Sequence, residues 1–430
     1  MTGPLGFITG LLALLLGGGL WVGFALLAVG ILTLELFRSM RVDRFLASDL
    51  WGTATSHELV TLPLFILMGE ILYNTRLSQN LFSGLQPFVR WLPGRLLHVN
   101  VLGCTLFAAV SGSSAATTAT VGRITLKELE GRGYDRMLAA GSLAGSGTIG
   151  FLIPPSIPLI VYGVLAEVSI LHLFIAGVVP GLLLALLFMC FIGLRTLFSP
   201  SLVPATEPDT TWREKLVALG RLLPITLLIV FVVGSMYSGH ASVTEAAAMG
   251  VLGALLLAGW ERQLSLQMLS RALLGTVRTC AMIGLIVAGA LFLSKAMARL
   301  AIPGEVAALI DALQLTPIQL ILMLMLFYLF LGCFLDGLST IVMTLPVTLP
   351  LVVAAGFDPI WFGIFLIITI EMAQITPPIG FNLFVIRSLT GHSIARIAWA
   401  AAPFCALMVL AIALLLSFPQ IVTWLPEQMR

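Results

Sequence analysis

The sequence predicts an all-α, polytopic membrane protein built as an inverted repeat, with two re-entrant helical hairpins and two broken transmembrane helices. Of its 430 residues, 59% are hydrophobic and only 10% are charged, whereas a typical soluble domain has about 25% charged residues. Apolar segments are interrupted in two matching pairs, at Gly112 and Pro154 and again at Gly337 and Pro377. In hydrocarbon, the backbone groups freed by such interruptions must line a cavity or hold a ligand.

The N-terminal region predicts short helices and one helix along the membrane surface. The apolar stretch 5–37 contains a run of three glycines after Leu16, which favours two short helices over one overlong helix. Residues 59–73 predict a third span, and residues 78–94 carry an apolar stripe typical of an interfacial helix. Together, residues 1–98 are expected to form the scaffold helices and interfacial arm of the first half.

A hairpin, a broken helix and a return helix are predicted over residues 99–194. The segment 99–121 is too rich in Ser, Thr, Gly and Ala for a lipid-facing helix, and a basic connector follows it. Because positive charge favours the cytoplasmic side, this segment is predicted to be a re-entrant hairpin with its tip at 111–114. The next span is broken at Pro154-Pro155, and a return helix completes the region.

The second half repeats this order after the polar segment 195–221, which is expected to be a cytoplasmic linker. Scaffold helices and a second interfacial arm are predicted over residues 222–315. The last scaffold span is predicted over residues 279–293, and the arm is expected to begin at Ala296. A second hairpin, a span broken at the Pro-Pro pair after Thr376 and a last helix are predicted over residues 316–430. The two halves therefore have corresponding scaffold and transport regions.

Matched positions support this internal repeat. Gly112 and Gly337 are 225 residues apart, and Pro154 and Pro377 are 223 residues apart. The flanking charges require the two hairpins to enter from opposite faces, and inverted repeats with paired broken helices are the architecture of secondary transporters. Ordinary proline kinks and the packing of small residues are the alternative, but four interruptions in two matched pairs favour the repeat.

The interruptions offer oxygen ligands suited to a sodium ion. Unwound helix carbonyls and hydroxyls bind such an ion without burying a full charge. The predicted sodium-binding residues are Ser111, Gly112, Ser113, Ser114, Pro154, Pro155, Asp336, Gly337, Ser339, Thr376, Pro377 and Gly380. Asp336 is the most informative, because a carboxylate costs about 2.5–3.5 kcal/mol at the bilayer centre and should face a cavity or an ion. Glu371, one turn before the second Pro-Pro break, is expected to support the site structurally or to carry a proton.

Several function classes are excluded or disfavoured by the sequence. The chain has no G-x-x-x-x-G-K-[ST] motif for ATP hydrolysis and no basic patch for nucleic acid. Its histidines are dispersed singly, so neither a transition-metal site nor any cofactor is predicted beyond sodium as a coupling ion. An intramembrane enzyme that uses Asp336 and Glu371 as acid and base is a remote alternative, because it would not explain the matched breaks.

The interrupted segments also resemble a known family. The runs SGSSAATTATVG (111–122) and GFLIPPSIPLIVYG (150–163), and the stretch from LDGLST to TPPIGFNLF (335–384), resemble the large membrane (M) subunit of TRAP transporters. The resemblance covers nearly the whole chain. It implies a bacterial inner-membrane, sodium-coupled, elevator-type importer of an organic acid, such as a carboxylate or a sialic-acid-like anion.

The resemblance further implies partners and a substrate site. The expected partners are a small four-helix Q membrane subunit on a separate chain, a periplasmic binding protein that delivers a small organic anion, and the lipid bilayer. Half-helix N-termini are expected to face the substrate carboxylate. The predicted substrate-binding residues are Ser114, Ser156, Asp336 and Asn382. A self-sufficient sodium/dicarboxylate carrier that needs no binding protein is the alternative, and the sequence does not specify the substrate.

Overall fold

The computed structural model describes residues 3–75, 77–204, 211–312 and 314–428. Within these ranges the chain consists of α-helices and short 3₁₀ turns, without a β-strand. The first half contains α1 (Pro4–Gly17), α2 (Val22–Phe37), α3 (Val42–Ala54), α4 (His57–Tyr73), α5 (Leu77–Val89), α6 (His98–Ser111), α7 (Ser114–Gly131), α8 (Arg136–Thr148), α9 (Ile157–Ala166) and α10 (Ile170–Phe198). The second half contains α11 (Trp212–Tyr237), α12 (Val243–Trp260), α13 (Leu266–Arg299), α14 (Ile302–Ala312), α15 (Pro317–Gly332), α16 (Gly337–Ala354), α17 (Pro359–Gln374), α18 (Phe381–Thr390), α19 (Ile394–Ser417) and α20 (Gln420–Glu427).

The N-terminal helices turn at the glycine run, which confirms the prediction of two short helices. α1 ends at Gly17, and Gly19 has a φ of +79°, a left-handed conformation that glycine adopts without steric cost. Each helix is shorter than the roughly 20 residues that usually cross a membrane. α2 then packs along α13, where Phe292 is fully buried.

One group of helices joins the first and second halves of the chain. α2 and α4 pack against α13, α12 packs against α4, and α5 packs against α11. The hydroxyls of Thr61 on α4 and Thr244 on α12 share a hydrogen bond of 2.6 Å. The carboxylate of Asp49 on α3 is buried against the Lys295 ammonium of α13. We call α1–α5 and α11–α14 the scaffold.

A second group of helices surrounds the interrupted segments. α7 packs against α6, α8 and α18, whereas α16 packs against α9, α15 and α17. α8 approaches α19 closely because its buried face is built mainly from Ala, Gly and Ser. At the centre lies α17, which is buried continuously from Trp361 to Gln374. We call α6–α10 and α15–α20 the hairpin domain.

The hairpins and broken helices lie where the sequence predicts them. The first hairpin turns between Ser111 and Ser114, and the second turns between Gly332 and Gly337. The first broken span is interrupted between α8 and α9, and the second between α17 and α18. Both Pro-Pro pairs lie in these interruptions, and each has a cis peptide bond. The order of hairpin, broken helix and return helix is therefore the same in the two halves.

The lengths of the helices agree with a membrane protein. Among the described residues, six helices are long and apolar enough to cross a membrane, namely α10, α11, α12, α13, α16 and α19. The bent pair α3–α4 is a seventh candidate. The pieces of the broken spans, such as α9 and α18 with 10 residues each, are too short to cross alone.

Several helices extend beyond the segments predicted for them. α10 continues to Phe198 and α11 begins at Trp212, so both ends of the predicted linker 195–221 are helical. α13 continues through Ala296 to Arg299, and the second arm helix is the shorter α14. A short helix, α20, follows the last predicted span. A helix satisfies its own backbone hydrogen bonds, so it can continue past charged residues that mark the membrane edge. Linker residues 205–210 lie outside the described residues.

Candidate functional site

The first hairpin tip is a backbone reversal that lies against the first break. Gly112 ends α6 with a φ of +55°, and the Ser113 side chain caps α7 by accepting a hydrogen bond from the Ala116 N–H. A Cβ on Gly112 would lie 2.8 Å from the carbonyl oxygen of Pro155. The Ile157 N–H donates to the Gly112 carbonyl at 3.4 Å. The tip and the first Pro-Pro break are therefore direct neighbours.

The second hairpin tip is organised by Asp336, which caps the N-terminus of α16. Its Oδ2 accepts a hydrogen bond from the Ser339 N–H at 3.1 Å, and the Ser339 hydroxyl donates to Oδ1. Such a cap satisfies backbone groups that a helix start otherwise leaves unpaired. A Cβ on Gly337 would lie 2.7 Å from the ring of Phe151. The second tip therefore touches the segment that leads into the first break.

The second break packs against the second hairpin in the same way. The Thr376 hydroxyl donates to the Met372 carbonyl at 2.6 Å. The thiol of Cys333, just after α15, lies 3.4 Å from the Pro377 carbonyl oxygen. Gly380 then leads into α18 with a φ of +50°. Each half thus places one hairpin beside its own Pro-Pro break.

Both tips open into one cavity of about 690 Å³ between the scaffold and the hairpin domain. The hairpin domain contributes polar wall residues from both tips and from the end of α17: Ser111, Gly112, Ser113, Asp336, Gly337 and Gln374. The scaffold contributes Glu70 of α4 and Thr279 of α13. In the described part of the chain, no Lys, Arg or His lines this cavity. Its charged groups are therefore two carboxylates.

A buried hydrogen-bonded cluster connects the two halves beside this cavity. The Asn382 side-chain amide donates to the Ser114 Oγ at 2.7 Å. The Ser114 hydroxyl lies 2.8 Å from the Glu371 Oε2 and 3.1 Å from the Gly147 carbonyl oxygen. Glu371 Oε1 and Asn382 Oδ1 are buried without a hydrogen-bond partner among the described residues. The cluster ties the start of α7 to α17 and α18.

The predicted ligands differ in whether they line the cavity. Five of them line the cavity: Ser111, Gly112, Ser113, Asp336 and Gly337. Seven others are buried and do not line the cavity: Ser114, Pro154, Pro155, Ser156, Ser339, Gly380 and Asn382. Thr376 is half-buried and Pro377 is exposed at the second break. Of the four predicted substrate ligands, only Asp336 reaches the cavity wall, so direct contact of Ser114, Ser156 and Asn382 with a substrate stays a prediction.

Four polar residues of the cavity wall, Glu70, Tyr73, Thr279 and Gln374, are not among the predicted ligands. Thr279 and Gln374 resemble many other polar residues in helices of this chain. Glu70 is recognisable from the sequence as a charged residue in an apolar span, a feature that often marks a functional position. The spacing within α4 does not show which helix it faces, because that depends on the packing of α4 against α13.

Paired hairpins and broken helices around a shared cavity define a secondary transporter. The sequence profile described as "Tripartite ATP-independent periplasmic transporter, DctM component" matches residues 9–421. The chain therefore belongs to this family, as its motifs predict. It is a multi-pass protein of the inner membrane, and its family is one of transporter permeases rather than enzymes.

Named relatives cover nearly the full length of the chain. The C4-dicarboxylate TRAP transporter large permease protein DctM of Pseudomonas aeruginosa is 35% identical over 398 residues, which are 92% of this chain and 91% of the relative. The sialic acid TRAP transporter large permease protein SiaM of Vibrio cholerae is 32% identical over 98% of both chains. The isethionate TRAP transporter permease protein DctMQ of Oleidesulfovibrio alaskensis is 30% identical over 96% of this chain and 65% of the relative.

A solved structure has a similar fold. The YdaH transporter of Alcanivorax borkumensis, whose topology is described as unusual, matches with a TM-score of 0.65. The match covers 95% of this chain and 97% of that one, with 15% sequence identity. At this identity the similarity concerns the fold alone.

Proposed function

We propose that this chain is the large transmembrane subunit of a sodium-coupled importer of an organic anion. The observation that carries the proposal is the shared cavity, into which the tips Ser111–Ser113 and Asp336–Gly337 of the two halves open. The relatives are named for C4-dicarboxylate, sialic acid and isethionate. All three are anions near neutral pH, which supports an organic anion as the substrate class.

The charges of the cavity favour a cation as co-substrate. An incoming anion would meet the carboxylates of Asp336 and Glu70 in a described wall that has no basic side chain. The N-termini of α7 and α16 each supply roughly half a positive charge. Because these partial charges do not balance two carboxylates and an anion, bound cations are needed for tight binding. The hydroxyl and carbonyl oxygens of the tips and breaks are suitable sodium ligands.

The position of the cavity supports an elevator movement of the hairpin domain against the scaffold. Glu70 and Thr279 form one side of the cavity, and both hairpin tips form the other. Tyr73 lines this cavity and also an adjoining polar groove that includes Arg123. Since the basic residues in the second half of α7 and directly after it favour the cytoplasmic side, we infer that the cavity faces the cytoplasm in this arrangement.

The proposal includes two partners. The family description names a tripartite, periplasmic system, which supports two further components beside this chain. One is a small Q membrane subunit, and the second is a periplasmic protein that delivers the substrate. One relative carries the combined name DctMQ, which supports a Q subunit as one of the two partners.

The test is transport by the purified complex in proteoliposomes. Succinate, sialic acid and isethionate are offered outside, with the binding protein, under an inward sodium gradient or an equal potassium gradient. We expect uptake of one of these anions only with sodium and only with the binding protein. Uptake that is indifferent to sodium would refute the coupling, and uptake without the binding protein would favour a self-sufficient carrier.

A variant of Asp336 connects this test to the site. Asp336→Asn keeps a side-chain oxygen that can accept the Ser339 N–H, but it removes the charge. We expect the sodium concentration for half-maximal uptake to rise at least about tenfold, the equivalent of about 1.4 kcal/mol. An unchanged sodium dependence would exclude Asp336 from the sodium site.

A further inference from the structure

Glu70 lies where the scaffold touches the first hairpin tip. Its neighbour Gly69 packs so closely that a Cβ there would lie 3.0 Å from the Val110 carbonyl oxygen and 3.6 Å from the Ser111 Cα. The Glu70 side chain is the next one along α4, and it lines the cavity opposite the tip. A carboxylate on the scaffold thus faces the candidate binding site of the hairpin domain.

The fold makes room for this carboxylate beside α13. A Cβ on Gly275 would lie 2.8 Å and 2.9 Å from the two carboxylate oxygens of Glu70. Glycine at this position therefore lets the carboxylate rest directly on the surface of α13. The side chain remains half-buried and in contact with the cavity.

The carboxylate of Glu70 forms no ion pair with a residue in the described part of the chain. Among the described residues, its carboxylate also takes part in no hydrogen bond, and no Lys, Arg or His lines the cavity. Asp336 differs, because both of its carboxylate oxygens accept hydrogen bonds from Ser339 at the start of α16. Of the two cavity carboxylates, Glu70 is therefore the one whose negative charge is less offset by hydrogen-bond donors.

We propose that Glu70 is a fixed negative charge that makes the cytoplasm-facing cavity repel anions and so promotes release of the substrate. The proposal rests on the proposed function for the anionic nature of the substrate. Because Glu70 belongs to the scaffold, its distance to the tips changes when the hairpin domain moves. The repulsion therefore acts in the arrangement seen here and weakens when the site moves away from Glu70.

The experiment measures the field in the cavity without relying on transport. The five native cysteines are replaced by serine or alanine, and Ala116 of the cavity wall is replaced by cysteine as a reporter. Inside-out vesicles that contain the full chain are treated with anionic sulfonatoethyl methanethiosulfonate or with cationic trimethylammonioethyl methanethiosulfonate. The ratio of the two reaction rates reports the local potential, because a general change in accessibility affects both reagents.

Glu70→Gln should raise the anionic-to-cationic rate ratio at least about fivefold, as expected for the loss of one unit charge from the cavity that the reporter lines. Glu70→Ala removes the same charge and should give the same shift, whereas Glu70→Asp should keep the original ratio. Glu58→Gln, in the first turn of the same helix, is the matched control and should change nothing. A ratio that changes less than twofold in both neutral variants, or an equal shift in Glu58→Gln, overturns the proposal. Neither result depends on whether the complex transports an anion, so failure of the proposed function would be seen separately in the uptake assay.

Discussion

Gly112 gives the sharpest prediction about the first half-site, because two independent features require glycine there. Its φ of +55° lies in the left-handed region, and a Cβ would lie 2.8 Å from the Pro155 carbonyl oxygen and 3.2 Å from the Ile157 nitrogen. Both contacts are backbone atoms, which cannot turn away as a flexible side chain does. Gly112→Ala should therefore push the first tip away from the first break.

The expected cost can be estimated from these two terms. An alanine in the left-handed conformation costs about 1–2 kcal/mol. Overpacking against atoms that cannot move freely costs about 1–3 kcal/mol. If sodium bridges the tip and the break, as proposed, separating them weakens sodium binding by a comparable free energy. A loss of about 2 kcal/mol corresponds to roughly a 30-fold weaker affinity.

Two glycines in the same region provide matched controls. Gly133 also has a positive φ, +83°, but a Cβ there would meet nothing within 4 Å. Gly131, the last residue of α7, is open as well and has no positive φ. Gly133→Ala therefore reports backbone strain alone, and Gly131→Ala reports neither effect.

The assay is sodium-dependent thermal stabilisation of the purified chain, followed by sodium-driven uptake with its partners. Gly112→Ala should shift the half-maximal sodium concentration by at least about 30-fold, whereas the two control variants should leave it unchanged. If Gly112→Ala responds to sodium as Gly131→Ala does, the tip and the break do not form a common sodium site. A shift in Gly133→Ala of the same size would show that strain remote from the tip explains the effect.

Two further predictions concern the buried polar cluster and its surroundings. Glu371→Ala removes an oxygen that lies 2.8 Å from the Ser114 hydroxyl, and it should lower the free energy of unfolding in detergent by about 1–3 kcal/mol. Glu371→Gln should recover most of that loss. An equal loss in both variants would show that the negative charge is needed. Gly147→Ala would place a Cβ 1.9 Å from the Thr118 Oγ1 and should lower the unfolding temperature, by an overpacking cost of about 1–3 kcal/mol. Adding Thr118→Ala should restore most of the stability, and no recovery in the double variant would contradict the contact.

The interruptions of the fold are predictable from the sequence because local chemistry determines them. The glycine at 112 has the left-handed φ that ends a helix, and Ser113 and Asp336 cap the helices that follow. The Pro-Pro pairs cannot continue a regular helix, since proline lacks the N–H and clashes with the preceding turn. Both hairpin turns and both Pro-Pro breaks therefore lie within a few residues of the predicted positions, whereas α7 continues to Gly131, ten residues beyond the predicted end of the first hairpin.

The ends of the long helices are less predictable, because charged residues mark the membrane edge rather than the helix end. The sequence predicts a span over residues 279–293, whereas α13 runs from Leu266 to Arg299. The residues before the span include Arg271 and Arg278, which are compatible with a helix in water. Similarly, α11 begins ten residues before the predicted Leu222, at Trp212.

The composition of the cavity wall depends on tertiary packing and is only partly predictable. Repeat matching places both tips at one site, and the structure places them around one cavity. Repeat matching does not predict that Glu70 lines the cavity, because its orientation follows from the contact of α4 with α13 and with the first tip. Repeat matching also does not distinguish Ser111, which lines the cavity, from Ser114, which is buried three residues later.

The contacts of the first break explain how two half-sites can act as one body. Pro155 lies against Gly112 of the first tip, and Phe151 lies against Gly337 of the second tip. The hydrogen bonds from Ser114 to Glu371 and from Asn382 to Ser114 add a second connection between the halves. Because close-packed interiors transmit small displacements, a shift of either tip must displace the break or strain these bonds. If an ion fixes one tip, as proposed, it also restricts the other, and this shared restriction would let ion binding favour substrate binding between them.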